Sequence, residues 1–248
     1  MNRDESPLRY MPWFIRDAIV WPFRVFVVTS VVIDLLVWRF ATNTHMRGPG
    51  PDGALLDMPH GLQVAIWSSG LTVAILMTVG GIVGTDLERG YYRSLFSKPM
   101  SPAWYYLQRF LVGAAVILLT PLVLGVGLAL ALRSNMGLTW HLIGQIGLSY
   151  LLVGSATFLV SRFSSKGWLF VFLASVLESV LSHVTMVPGV PAWLKVLHQA
   201  LPPFELTQPA LPVPSGGALW HVVAYGAVML ALALTLLRTR PLGNGITS

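Results

Sequence analysis

The sequence contains no cysteine, which removes disulfides and thiolate metal sites and leaves the redox compartment unread. Charge is scarce as well. Asp, Glu, Lys and Arg make up 10% of the 248 residues, against roughly one-quarter in soluble domains, so water is not the main solvent of this chain. No G-x-x-x-x-G-K-[ST] phosphate loop occurs, so the chain is not expected to bind ATP. The histidines (45, 60, 141, 183, 198 and 221) are scattered and no H-E-x-x-H pairs them, so metal chemistry finds no support. A G-x-S-x-G nucleophile elbow is absent too. The N-terminus places acids and aromatics before its first apolar run and shows no short apolar region followed by a small-residue cleavage site, so no cleaved signal peptide is expected.

What the chain does contain is apolar: 54% of residues, with a mean hydropathy of +0.68. Continuous Leu/Val/Ala-rich runs of about 20 residues recur, each long enough to cross a hydrocarbon core of roughly 30 Å as a helix. Barrel strands would instead alternate apolar and polar over about ten residues. The expected fold is therefore all-α, a single polytopic transmembrane domain over residues 1–248. Its six spans fall at about 20–40, 62–84, 104–132, 139–161, 167–187 and 218–237. Pro121, inside the third, predicts a kink near Thr120–Leu122. Residues 1–19 form an N-terminal interfacial segment, amphipathic from Leu8 to Ala18.

A net charge of +6 could suggest nucleic acid, but the bases lie singly between apolar runs, so no nucleic-acid partner is expected. Topology accounts for them better. With six spans and both termini cytoplasmic, Arg3, Arg9, Arg16, Arg24, Arg89, Arg93, Lys98, Arg109, Arg162, Lys166, Arg238 and Arg240 lie inside, and Arg39, Arg47, Arg133 and Lys195 outside. The outer loop 188–217 is Pro-rich yet carries Trp193, Leu194, Val196, Leu197 and Leu201 at helical spacing, which predicts a short helix dipping into the outer leaflet.

Polar residues within spans need partners, because a charged side chain at mid-bilayer costs at least about 2.5 kcal/mol. Glu178 should face protein, either lining a substrate or proton path or satisfied by Ser175, Ser179, Ser182 or a neighbouring helix. His183 lies nearer the outer surface, and pairing with Glu178 is not favoured by spacing. Asp34 shares its end of the first span with Arg39, and both can reach interfacial water. Gly80 and Gly84 have the G-x-x-x-G spacing of close helix approach. Trp21, Trp38, Trp104, Trp140, Trp168 and Trp220 sit near span ends as an aromatic belt.

The most informative stretch is GTDLERGYYRSLFSKPMSPAWYYLQRF, residues 84–110. Acids lead (Asp86, Glu88) and bases follow (Arg89, Arg93, Lys98), the order a helix dipole favours. Tyr91, Tyr92, Leu95 and Phe96 cluster on one face, and Pro99 stops the helix. A short helix with an aromatic face and a charged rim suits docking into a partner's cleft, and a solvated loop is the plain alternative.

These residues resemble the permease subunits of the ABC type-2 exporter family. There an acid, a base and glycine follow the second span, then a Leu-containing stretch, a proline with a small hydroxyl residue, and a base opening the next span. Glu88, Arg89 and Gly90 match the opening, Leu95 and Phe96 the apolar pair, Pro99, Met100 and Ser101 the turn, and Arg109 the closing base. Tyr91 stands where members often have Thr, and Arg109 where they often have Lys. The plan of interfacial helix, six spans and outer helical segment is similar too. The resemblance implies a multi-pass cell-membrane protein, paired with a second permease copy as homodimer or heterodimer and surrounded by lipid. Segment 85–102 would be a cytoplasmic coupling helix docking, through Asp86, Glu88, Arg89, Gly90, Tyr91, Tyr92, Leu95, Phe96 and Pro99, onto separate ATPase subunits that bind ATP and magnesium. The chain itself would be a transporter subunit, not an enzyme, and would carry no cofactor. Glu178, Asp34 and His183 would be candidates for the substrate path. Two alternatives stay open: an intramembrane enzyme using Glu178, His183 and Asp34 on a lipid-soluble substrate, and a non-transporting assembly protein that uses the 86–98 helix only to dock.

Overall fold

The computed structural model describes residues 15, 16, 19, 20, 24, 28, 57–88, 101–132, 140–185, 189–207 and 214–239. Within these ranges, 57–69, 85, 87, 88, 121, 124–132 and 140–142 are described by backbone alone. All regular structure among the described residues is helical. The six described residues before position 57 are helical and exposed. Most of the expected first span, most of the N-terminal interfacial segment and residues 89–100 lie outside the described residues.

Helix α1 runs Asp57–Glu88 and α2 Pro102–Leu132. The next span is built in three pieces, α3 (Trp140–Ser149), a π turn (Tyr150–Gly154) and α4 (Ser155–Ser161). α5 (Gly167–Thr185), the short α6 (Ala192–Ala200), a 3-10 turn (Glu205–Thr207) and α7 (Gly216–Thr239) complete the order. Four helical stretches are long and apolar enough to cross a membrane: Pro102–Thr120, Ile143–Ser161, Gly167–Thr185 and Gly216–Thr239. Gly70–Gly84, within α1, is a shorter apolar stretch. The chain is thus a helical membrane protein with four such spans among the described residues. α2 continues through Pro121 without a break, although proline gives no N–H to the ladder.

The span through the π turn is the centre of the bundle: 61% of Ile143–Ser161 is buried, against 17% of Gly216–Thr239. α4 packs against α1, α5 and α7, and α1 also packs on α2 and α5. A π turn displaces carbonyls from the α ladder, and in lipid each must find a donor. The Ser155 amide donates to the Leu151 and Leu152 carbonyls, and hydroxyls add further bonds. Ser155 Oγ donates to the Leu151 and Leu152 carbonyls, and Thr157 Oγ1 to Val153 at 2.7 Å. The Tyr150 hydroxyl donates to the Phe110 carbonyl at 2.7 Å, tying the turn to α2, while the Phe110 ring lies 4.9 Å from Tyr150 and 5.4 Å from Phe158.

Small residues set the helix separations. A Cβ on Gly226 of α7 would lie 3.0 Å from the Leu151 carbonyl oxygen, and one on Gly84 would lie 3.2 Å from the Ser165 backbone. Gly80 and Gly84 therefore do permit the close approach their spacing suggests. Their partners are Trp168 and Ser165, at the joint between α4 and α5. That joint is tight, since a Cβ on Gly167 would stand 2.6 Å from the Ser161 amide nitrogen.

Candidate functional site

Two polar constellations interrupt this apolar bundle. The first joins the last turn of α1 to the second turn of α2. Ser101 accepts the first intrahelical bond of α2 from Tyr105 at 3.1 Å, and Pro102 suits the first helical position because its missing N–H would have no partner there. This start places Arg109 opposite Asp86. The guanidinium donates to Asp86 Oδ2 at 2.9 Å and to the Ile82 carbonyl at 3.2 Å, and it lies 5.9 Å from the centre of the Tyr105 ring. Asp86 is buried and Arg109 half-buried. The two ends of the 89–101 connection are therefore clamped together.

The second constellation lies deeper. Glu178 falls on the protein-facing stripe of α5, in series with Gly167, Val171 and Leu181, and is 2% exposed. Its Oε2 accepts the amide of Glu205 at 3.0 Å. From α3, Gln145 Nε2 donates to the Leu206 carbonyl at 3.2 Å, and Ser149 Oγ donates to the Thr207 carbonyl. Gln145 and Ser149 are four residues apart, hence on one face. Three side chains from two spanning helices thus hold the backbone of three consecutive residues.

The position of the turn follows from the chain path. After α5 the chain reverses at Gly189, which takes φ 86°, a conformation that would strain any side chain. It runs through α6 and stops where Leu201, ahead of Pro202, is extended. It then re-enters the bundle to bury Phe204 and Thr207. On α6, Trp193 (65% exposed) and Val196 (64%) share one apolar face.

The residues singled out by sequence separate clearly. Asp86 is buried and bonded to Arg109. Glu88 ends α1, with its side chain outside the described residues. Arg89, Gly90, Tyr91, Tyr92, Leu95, Phe96, Pro99 and Asp34 lie outside the described residues as well. Glu178 bonds to a loop amide, whereas Ser175 and Ser182 donate to carbonyls of their own helix. His183 is exposed, its Nδ1 2.7 Å from the Ser179 carbonyl, so it joins no site with Glu178. Sequence reading missed Gln145, Ser149 and the 204–207 turn. The signal for the first two was a polar pair at i and i+4 inside an apolar run.

Among the described residues no group of three or more His, Asp or Glu side chains could hold a metal ion. The class defined by fold and sites is an integral membrane protein, helical throughout its described residues, with a clamped connection at one end and a loop captured between spanning helices. No family model, curated protein or solved structure matches the chain.

Proposed function

We propose that this chain is the transmembrane permease subunit of an ATP-driven ABC exporter, which passes the work of separate cytoplasmic ATPase subunits to a substrate path through the bundle. The observation that carries the reading is the Asp86–Arg109 clamp. A helix that transmits force from a partner must stand on legs that move together, and an ion pair whose carboxylate is buried costs stability when it is separated. The clamp braces the base of the segment containing Glu88, Arg89, Gly90, Tyr91, Tyr92, Leu95, Phe96 and Pro99, whose order resembles the family's coupling segment. The apolar spans and the lack of a phosphate loop fit a division of labour in which the ATPase is another polypeptide. A second permease copy, the same or similar, completes the assembly, and both termini lie in the cytoplasm.

The test is purification from the native membrane in mild detergent. A soluble ATPase with a phosphate loop should accompany the chain in equal copy number, and Gly90→Pro should release it while leaving the chain in the membrane. Purification of the wild-type chain free of any ATPase would contradict the proposal.

A further inference from the structure

We propose that Glu178, Gln145 and Ser149 form a latch that holds the 204–207 turn as a removable stopper in the mouth of the bundle remote from the Asp86–Arg109 clamp, an inference that rests on the exporter reading above.

Depth comes first. Glu178 lies eleven residues beyond Gly167, and Ser149 twelve before Ser161, the two residues packed together at the α4–α5 joint. At 1.5 Å per residue both stand about 16–18 Å above that joint, near the middle of a hydrocarbon core of roughly 30 Å. The turn arrives from the other end, because the chain leaves α5 at Thr185, about 10 Å beyond Glu178. It is therefore re-entrant. Irregular backbone at such depth is tolerated only against protein or a water-lined cavity.

What holds the turn is unusual in kind. Its internal bonds are few: Phe204 N–H to Pro202 O at 2.8 Å, and the Thr207 amide and hydroxyl to Phe204 O at 3.1 and 2.8 Å. Pro202 and Pro203 have no N–H to give. The backbone groups of Glu205, Leu206 and Thr207 are met instead by side chains of α5 and α3. Because the three bonds come from two helices, a change in the α3–α5 spacing breaks them together. α1 reaches the α4–α5 joint through Gly84 against Ser165, so movement of the clamped end bears on that spacing. With the turn withdrawn, Glu178, Gln145 and Ser149 become a polar lining open to cargo. With it seated, the mouth is closed.

The absence of cysteine makes the test direct. Thr207→Cys, and Phe204→Cys as a second reporter should the first not fold, are made in the full chain and purified with its accompanying ATPase into lipid nanodiscs. Maleimide reaction at the buried thiol reports opening. At rest, reaction is slow. Adding Glu178→Ala speeds it about tenfold, the order expected on losing one buried hydrogen bond, whereas Glu178→Gln, whose amide oxygen still accepts from Glu205, stays near the parent. ATP with magnesium speeds the parent. A rate unchanged both by Glu178→Ala and by ATP, in a complex that hydrolyses ATP, overturns the latch and leaves the exporter reading standing. A rate raised by Glu178→Ala in a chain that no ATPase accompanies supports the latch and removes the exporter reading.

Discussion

Removing either partner of the Asp86–Arg109 pair leaves the other without its counter-charge, at a site that is buried for Asp86 and half-buried for Arg109. Breaking a fully buried pair costs about 3–5 kcal/mol, and the solvent that reaches Arg109 lowers that here, while replacing both partners by apolar groups is close to neutral. Asp86→Ala should therefore lower the thermal unfolding midpoint in detergent sharply, and Asp86→Ala with Arg109→Met should recover most of the loss. An equal loss in the double variant would assign the effect to packing instead of charge. Gly167 is as exacting for a steric reason, because its missing Cβ is replaced by the backbone of Val160 and Ser161. Gly167→Ala should cost about 1–3 kcal/mol by overpacking, read in the same melt. The placement of Glu178 could be read in the sequence, since Gly167, Val171, Glu178 and Leu181 fall at spacings of four, seven and three, one helical stripe. Its partner could not. A backbone amide 27 positions away carries no sequence signature, and the nearby serines are diverted to their own helix.

At the scale of elements, apolar periodicity located α2, α5 and α7 to within a few residues of their structural ends, because hydrocarbon thickness fixes span length. It missed the π turn in the fourth span. A π turn changes the register by one residue without altering composition, and the back-bonds of Ser155 and Thr157 do not mark it, since Thr78 and Thr120 make the same bond in ordinary helix. Tyr150→Phe removes the bond from this turn to Phe110 and should lower stability by about 1 kcal/mol, checked by the unfolding midpoint. The short α6 was legible from Trp193, Val196 and Leu197, and Gly189 and Pro191 mark its start. If its apolar face rests in lipid, a spin label at Trp193→Cys should collide more with oxygen than with a water-soluble nickel chelate, and one at Lys195→Cys, about 200° further round the helix, should show the reverse. Equal accessibility at both positions would place α6 in water.

At the scale of the whole molecule, one end is tied by charge and the other is closed by a loop. The α4–α5 joint lies against α1 between them. Composition already excluded a soluble fold, and tight joints at Gly84, Gly167 and Gly226 make the bundle a stiff body in which displacement at one end is not easily absorbed locally. On this account the 89–100 connection is where an external motor takes hold. Single cysteines at Tyr91 and Phe96 in the otherwise cysteine-free chain, treated in native membranes with a short bifunctional thiol-to-amine crosslinker, test that claim most directly. The account predicts a crosslink from both positions to a cytoplasmic ATPase subunit, lost in Gly90→Pro. Reaction of these thiols only with reagents applied from outside the cell, or capture of no ATPase at either position, would contradict it.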